Sequence, residues 1–215
     1  ETVTVGQKIG DTDAFLSVPV HSSVSGTVSA VIDFVSANGD KCKAAVIDTD
    51  KAQTPCPDLR APVVQSHKDL VQAARDCGLD GLGGAGFPTH IKLNPKNLAE
   101  VNTLVINGAE CEPYLTCDQR LMMEQPDEII LGLKAWLKVT GAPKGYIGIE
   151  DNNKEAIATL KAVAAGESNI EVVPLMTKFP QGSEKQLISV ILGREVPSGG
   201  LPVDAGALVQ NVGTT

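Results

Sequence analysis

The sequence has few aromatic residues, no excess of positive charge and no long apolar run. Aromatic side chains make up 3% of its 215 residues, and the net charge is −8. This charge argues against nucleic acid or an anionic membrane surface as a direct partner, because either needs a basic face. No apolar run reaches the roughly 18 residues of a membrane-spanning helix. The first residues also lack the basic and apolar segments of a signal peptide.

The five cysteines show no C-x-x-C spacing. This spacing predicts neither a zinc site nor an iron–sulfur loop, and we predict no metal ligands. We expect reduced, mostly buried thiols in a cytosolic protein. Cys111 and Cys117 flank an acidic loop and are candidates for redox chemistry, although a packing role is the more common one for such residues.

The chain divides into a β-rich part, residues 1–61, and an α/β part, residues 62–215. The first part alternates apolar and polar residues between turn signals, which is typical of strands, and the proline-containing stretch 50–62 reads as a linker. In the second part strands alternate with helices, which predicts a mostly parallel sheet. The predicted elements are helix 66–78, strand Thr103–Asn107, helix Pro126–Thr140, strand Tyr146–Glu150, helix Asn153–Ala165, strand Ile170–Met176, helix Ser183–Leu192 and a last strand from Leu208.

Residues 81–89 contain four glycines in six positions and read Gly-Leu-Gly-Gly-Ala-Gly-Phe-Pro-Thr. Bare backbone of this kind lets amide groups approach a phosphate or a flat ring without interference from Cβ atoms. Gly81, Gly83 and Gly86 also fit G-x-G-x-x-G, but that fingerprint needs a strand before its first glycine. Here a helix precedes it, so we expect an architecture other than an ordinary Rossmann turn.

Two further loops follow predicted strands. Residues 107–118 read Asn-Gly-Ala-Glu-Cys-Glu-Pro-Tyr-Leu-Thr-Cys-Asp, and residues 177–184 read Thr-Lys-Phe-Pro-Gln-Gly-Ser-Glu. Open α/β sheets bind ligands outside the carboxyl ends of their strands, so both loops should face one ligand edge. The carboxylates there suit hydroxyl or amide donors better than a phosphate.

Together these stretches resemble the flavin-binding core that the C subunit of Rnf electron-transport complexes shares with the flavin-bearing, NADH-binding subunit of respiratory complex I. The sequences of residues 81–93 and 107–118 are more similar to the Rnf C subunit than to the complex I subunit. Residues 178–187 and 196–202 extend the match over essentially the whole chain. The resemblance implies an α/β fold with a Rossmann-like sheet of the complex I flavin-subunit type. A small β-rich barrel-sandwich module should precede it.

The resemblance also implies the ligands: flavin mononucleotide (FMN), with NAD(H) laid over its ring. Lys92 would offer a cation to phosphate or ribityl oxygens, Glu110 and Glu112 would line the cavity, and Phe87 would stack on adenine. No catalytic acid or base is implied, since hydride would pass from the nicotinamide to the flavin. The implied cofactor-binding set is Gly81, Gly83, Gly84, Phe87, Lys92, Asn107, Glu110, Glu112, Phe179, Gly182, Glu184 and Asn211.

In this family single electrons then pass to [4Fe-4S] clusters in a C-terminal part whose cysteine run this sequence lacks. We therefore expect a fragment that begins within the β-rich module and stops before the iron–sulfur part. The expected partners are NADH and the other subunits of a membrane complex, and the expected location is cytoplasmic, peripheral to the inner membrane. The final electron acceptor and the coupling ion stay open.

Two alternatives remain open. A flavoprotein cobalamin reductase of propanediol utilisation shares the same core. From a different class, a carrier or assembly module without a bound cofactor would present a lysine on a hairpin, and Lys41 and Lys43 are the candidates for such a modification.

Overall fold

The first 61 residues form two small antiparallel sheets. The computed structural model describes residues 1–84 and 86–215; Ala85, inside the glycine-rich stretch, lies outside the described residues. The strands are β1 (Thr2–Val3), β2 (Lys8–Gly10), β3 (Val20–His21), β4 (Gly26–Val35) and β5 (Lys41–Thr49). One sheet has the order β1-β4-β5, and β2 pairs with β3 in the other. The predicted all-β character of this part is confirmed.

Strands β4 and β5 form a long hairpin that is exposed along most of its length. Its turn contains Gly39, whose φ of 87° suits glycine. Phe34 pairs with Cys42, and both lie on the exposed part of the ribbon. Lys43 forms an ion pair of 2.6 Å with Asp33 across the two strands. Because neither strand is covered, this hairpin contributes little to a hydrophobic core.

The rest of the chain is an α/β unit. Its elements are α1 (His67–Asp76), α2 (Thr89–Lys92), β6 (Thr103–Gly108), α3 (Cys117–Glu124), α4 (Pro126–Thr140), β7 (Lys144–Glu150), α5 (Lys154–Val163), β8 (Ile170–Leu175), α6 (Glu184–Leu192) and β9 (Ala207–Asn211). The predicted elements are confirmed, and α2 and α3 are additional to them. The glycine-rich stretch lies between α1 and α2, as expected of a motif that a helix precedes.

The four strands form one parallel sheet in the order β8-β7-β6-β9. Strand order therefore reverses between β6 and β9, and in open α/β sheets ligands bind at such a switch point, outside the carboxyl ends of the strands. One buried cluster packs α1, α3, α4 and α5 onto one face, and a second packs α6 onto the other. The predicted parallel α/β fold is confirmed.

Local sequence signals explain several helix ends. Ser66 and Asp69 form a capping box at the start of α1, each side chain bonding the other residue's backbone N–H. Pro126 occupies the first turn of α4, and Gly141 ends it in the left-handed conformation with φ 74°.

The β-rich part contacts α1 through Arg75, whose guanidinium lies 2.7 Å from Oδ1 of Asp11 and 3.0 Å from the carbonyl oxygen of Thr12. Arg75, followed by Lys8, lowers the pKa of Asp11 to about 2. In the part of the chain that the structure describes, no helix is long and apolar enough to cross a membrane.

The expectation of mostly buried cysteines is wrong. All five are free, with Cys42, Cys77 and Cys117 exposed and the other two intermediate. The reason is the position of the exposed three: they occupy the open hairpin, the end of α1 and the start of α3. Each is an element end or edge that the sheet does not cover.

Candidate functional site

Two asparagines mark the carboxyl ends of the strands at the switch point. Asn107 is the penultimate residue of β6 and Asn211 is the last of β9, and the two are register partners in the parallel ladder. Asn107 donates from Nδ2 to the carbonyl oxygen of Gly182 at 2.8 Å and accepts from the N–H of Ala109 at 3.0 Å. Four loops carry the predicted site residues: residues 81–87, 108–117, 176–183 and 211–214. The bonds of Asn107 bring the second and third of them together at adjacent strand ends.

The described residues of the glycine loop, 81–84 and 86–87, face this edge, and the first and last of them are joined by a backbone bond. The N–H of Gly81 donates to the carbonyl oxygen of Phe87 at 2.9 Å. Gly83 and Gly84 have φ values of 81° and 145°, which L side chains rarely adopt. A Cβ on Gly84 would meet nothing within 4 Å, so this backbone borders open space.

The second loop, residues 108–117, carries Glu110 and Glu112 in different environments. Glu110 accepts from the N–H groups of Asp118 and Gln119 at 3.1 and 3.3 Å, so its carboxylate lies at the N-terminus of α3. This position is favourable because that end of a helix is electropositive. Glu112 is exposed and has its carboxylate available to a ligand.

Glu110, Cys117 and Asp118 bring possible ligand atoms within 4.8 Å of one another. Burial raises the pKa of the Asp118 carboxyl, an effect that its bond to Asn211 opposes and the Glu110 charge reinforces. The Cys117 thiol donates to Glu110 at 3.3 Å, and this bond raises its pKa. Cys117 is therefore held as the neutral thiol, which is the less reactive form.

The third loop, residues 176–183, approaches the same edge from β8. Gly182 donates from its N–H to Sγ of Cys111 at 2.8 Å, and a Cβ at Gly182 would lie 2.6 Å from the carbonyl oxygen of Ala109. Only glycine fits so close to the second loop. Phe179 stands 82% exposed at the tip.

The base of this loop is fixed by two acids at the end of β7. Asp151 accepts from the N–H and the hydroxyl of Thr177 at 3.1 and 2.7 Å, and these bonds lower its pKa. Glu150 accepts one longer bond, 3.3 Å, from the N–H of Lys178, and its burial raises its pKa.

Lys92 links α2 to α6 across the edge strand. Its Nζ lies 2.5 Å from Oε1 of Glu184 and 3.0 Å from the carbonyl oxygen of Val209. The cation predicted for phosphate or ribityl oxygens is thus present beside β9 but shares its charge with a carboxylate. An incoming phosphate would compete with Glu184 for this ammonium.

The residues at this edge fit a flavin nucleotide. Gly84 offers backbone without a Cβ to obstruct it, and Lys92 supplies a cation. Among the described residues, four buried side-chain oxygens close to these loops in the sequence have no partner in the protein: Asp80 Oδ1, Thr89 Oγ1, Gln181 Oε1 and Gln210 Oε1. Buried polar atoms are normally hydrogen-bonded, so such atoms are suited to a ligand or to water.

Contacts join Gly81 to Phe87, Gly83 to Asn211, Asn107 to Gly182 and Lys92 to Glu184. Gly84 lies beside Gly83, Glu110 lies at the N-terminus of α3, and Glu112 and Phe179 are exposed on the second and third loops. Sequence reasoning missed Asp118 and Thr214 as members of the region. Asp118 accepts from Nδ2 of Asn211 at 2.8 Å, and Thr214 accepts from the N–H of Leu82 at 2.9 Å. Thr214 shortly follows the end of β9, which is the signal that identified the other loops, whereas Asp118 lies in the first turn of α3.

Two family models match the chain. The Nuo51 FMN-binding domain matches residues 74–215, and the RnfC barrel sandwich hybrid domain matches residues 1–52. Because the first match covers more than half of the chain, the chain belongs to the family of the Nuo51 FMN-binding domain.

Among its relatives are the C subunits of ion-translocating complexes. The chain is 47% identical to the C subunit of the Na(+)-translocating ferredoxin:NAD(+) oxidoreductase complex of Acetobacterium woodii, over 100% of this chain and 49% of that protein. It is 44% identical to the C subunit of the proton-translocating ferredoxin:NAD(+) oxidoreductase complex of Clostridium ljungdahlii, over 100% of this chain and 47% of that protein. The resemblance to Rnf C subunits is confirmed, and the chain spans about half the length of these relatives.

A solved structure shares the fold at lower identity. The crystal structure of an NAD+-reducing [NiFe]-hydrogenase in the air-oxidized state superposes with a TM-score of 0.58 at 25% identity. The match covers 69% of this chain and 29% of the hydrogenase chain.

Proposed function

We propose that the crevice between the ends of β6 and β9 binds FMN and admits NAD(H) beside it, within a subunit of a membrane-associated electron-transport complex. The observation that carries this proposal is the convergence of four loops at the switch point of a parallel sheet. The family's FMN-binding description and the ferredoxin:NAD(+) oxidoreductase names of the relatives support the choice of ligands.

For the flavin, the chain supplies backbone donors, an amide and a cation. The amides of Gly83 and Gly84 are the candidate backbone donors, and Gly84 borders open space, whereas the N–H of Gly81 closes the loop on Phe87. Asn107 retains a second N–H on Nδ2 and a second lone pair on Oδ1. Lys92 would hold the phosphate or the ribityl chain. Gly182 and Asn211 shape the walls, where added side-chain atoms would collide with neighbouring loops.

For the dinucleotide, the chain supplies aromatic faces and acceptors. Phe87 and Phe179 are the exposed aromatic residues of the first and third loops, and such faces stack on adenine or nicotinamide. Glu112 is an exposed acceptor suited to a ribose hydroxyl or a carboxamide N–H. Glu110 would contribute indirectly, because its carboxylate is bonded to the N–H groups at the start of α3.

Bound FMN would accept hydride from the nicotinamide and would pass single electrons to iron–sulfur clusters outside this chain. The side chains around the crevice contribute binding and orientation, and no protein acid or base is required. We also propose the division into a barrel-sandwich module, residues 1–61, and an FMN/NADH core, residues 62–215. As part of the same proposal, the chain binds the remaining subunits of the complex and lies on the cytoplasmic side of the inner membrane.

The test is a visible spectrum of the purified chain titrated with FMN, followed by anaerobic addition of NADH. Saturable binding, then bleaching of the flavin band by NADH, is the expected result. If the flavin binds but NADH does not bleach it, the dinucleotide part of the proposal fails. If no binding occurs up to millimolar FMN, the crevice is not a flavin site in this chain.

Lys92→Ala sharpens this test, with Lys96→Ala, a lysine four residues away, as the matched control. A lost charge-assisted bond corresponds to roughly 10- to 100-fold weaker FMN binding. Riboflavin, which has no phosphate, should lose little affinity. Equal losses for FMN and riboflavin would show that Lys92 does not meet the phosphate.

A further inference from the structure

Asn211 is fixed at both ends of its amide. Its Nδ2 donates to Oδ2 of Asp118 at 2.8 Å, and its Oδ1 accepts from the N–H of Gly213 at 2.7 Å. A carboxamide held by a carboxylate on one side and by the backbone on the other has one orientation only. With the Asp118 carboxyl ionised, its bond is the stronger of the two, because a charged acceptor strengthens a hydrogen bond.

The glycine loop rests on this amide. A Cβ at Gly83 would lie 2.5 Å from Nδ2 of Asn211, so the backbone is in direct contact with the side chain. The N–H of Leu82 donates to Oγ1 of Thr214 at 2.9 Å. Residues 211–214 therefore support the loop at two successive positions, one by contact and one by a hydrogen bond.

Asp118 is itself held in place. It lies in the first turn of α3, and its N–H donates to Oε1 of Glu110 at 3.1 Å. Its carboxyl is partly buried, so removing its partner would leave a poorly solvated acceptor. A chain of contacts thus runs from the second loop through Asp118 and Asn211 to the glycine loop.

We propose that Asp118 is a positioning residue that orders the glycine loop by fixing the amide of Asn211. Without the carboxylate, the amide of Asn211 loses the bond that sets its orientation, and Gly83 loses a rigid support. The loop then keeps its closure between Gly81 and Phe87 and the bond from Leu82 to Thr214, but it has no rigid support at Gly83. The consequence for FMN affinity rests on the proposed function, whereas the ordering of the loop does not.

Hydrogen exchange of the 215-residue chain without flavin tests the ordering directly. In Asp118→Ala the N–H of Leu82, bonded to Thr214, should exchange about tenfold faster, since one hydrogen bond to a charged group is lost. Asp127→Ala removes an exposed carboxylate from the neighbouring helix and should leave this rate unchanged. An unchanged Leu82 rate in Asp118→Ala would overturn the proposal.

The reciprocal exchange of side chains separates positioning from general destabilisation. Asp118→Asn combined with Asn211→Asp restores a hydrogen bond between the two positions with its direction reversed. The Leu82 exchange rate should return to within about twofold of the parent value. Asn211→Asp alone places two carboxylates face to face and should accelerate exchange more than Asp118→Ala. If Asp118→Ala unfolds, this double variant decides, and failure to restore the rate overturns the proposal.

FMN titration of the same variants gives the second readout. Affinity should fall by about tenfold in Asp118→Ala and stay within about twofold of the parent value in Asp127→Ala. If the parent binds no FMN, the proposed function fails while the exchange data still decide the role of Asp118. If exchange changes as expected and FMN affinity does not, Asp118 orders the loop but not the flavin site, and the consequence for FMN is wrong.

Discussion

The two parts of the chain achieve order in different ways. Among residues 1–61, all of which the structure describes, Val3 is the one hydrophobic side chain in the buried set. The α/β part instead has two buried clusters on the two faces of its sheet. The first part relies on backbone ladders, buried serines and a contact to α1, whereas the second relies on apolar burial. Hydrophobic burial scales with area, so the two parts should respond very differently to substitution.

The largest effect should come from the core. Leu133 on α4 is fully buried against Gly145 of β7, so Leu133→Ala leaves a cavity. We expect the free energy of unfolding to fall by about 2–5 kcal/mol. Leu131→Ala, on the same helix at 62% exposure, should cost less than about 0.5 kcal/mol. Denaturant unfolding measures both, and similar losses at the two positions would contradict the packing described for α4.

The next effect should appear in the β-rich part. The buried hydroxyl of Ser25 donates to Asp50 at 2.6 Å and accepts from the N–H of Thr54 at 2.9 Å. Ser25→Ala should destabilise this part by about 1–3 kcal/mol, because two polar groups lose a partner. Hydrogen exchange of β4 and β5 should accelerate while that of β6 does not.

Ser23→Ala, at an exposed position nearby, is the matched control for this change. The Ser25 bond also lowers the pKa of Asp50, so NMR titration of Ser25→Ala should find a higher value. Equal acceleration in β6 would show that the two parts unfold together, which would remove the contrast between them.

Glu150 is a polar exception within the core, and its effect should be smaller. Burial raises its pKa, so the folded chain holds the proton to higher pH than the unfolded chain. Its contribution to stability is therefore greatest below the ordinary value and declines as pH rises through the raised value. Glu150→Gln keeps an acceptor for Lys178 and should be more stable than the parent at pH 7, by about 0.5–1 kcal/mol.

Parent and Glu150→Gln must be measured at equal pH, because Asp11, Asp50, Asp69 and Asp151 have lowered pKa values and an opposite dependence. The advantage of Glu150→Gln in thermal unfolding should shrink between neutral pH and about pH 4, near the ordinary pKa of a glutamate. If the stability advantage of Glu150→Gln over the parent grows on acidification, the pKa of Glu150 is lowered in the folded chain and not raised.

The smallest effect should come from the hairpin. Phe34 is 51% exposed, so Phe34→Ser removes little buried surface and should change the free energy of unfolding by less than about 0.5 kcal/mol. Thermal unfolding of the two chains measures this. A loss comparable to that of Leu133→Ala would mean that the exposed hairpin face is covered in solution.

The sequence predicted the elements of the α/β part because their signals are local. The capping box at Ser66 and the buried run of β6 each lie within one element, and strand–helix alternation implies parallel pairing. The missed helix α3 has a weaker signal, since Asp118, Gln119, Arg120 and Glu124 interrupt its apolar residues. Contacts to β6, α4 and α5 decide its formation rather than propensity.

The candidate site was accessible to sequence reasoning at the level of loops but not of contacts. The family motifs identified the glycine loop and the acidic loop as parts of one site. The rule that ligands bind outside the carboxyl ends of parallel strands predicted the edge of the sheet at which they lie. The Asp118–Asn211 bond joins residues 93 positions apart, and the Lys92–Glu184 pair joins residues 92 apart. No local pattern specifies such pairings, because they depend on the order of strands in the sheet.

The order of the strands also determines the stage of synthesis at which the crevice can form. The crevice lies between β6, the first strand of the sheet along the chain, and β9, the last. During synthesis from the N-terminus, β6, β7 and β8 can pair before residues 207–211 have left the ribosome. Neither the edge carbonyl bonded by Lys92 nor the support beneath Gly83 exists until then. If the crevice binds FMN as proposed, loading of the cofactor would have to follow the pairing of β9 with β6.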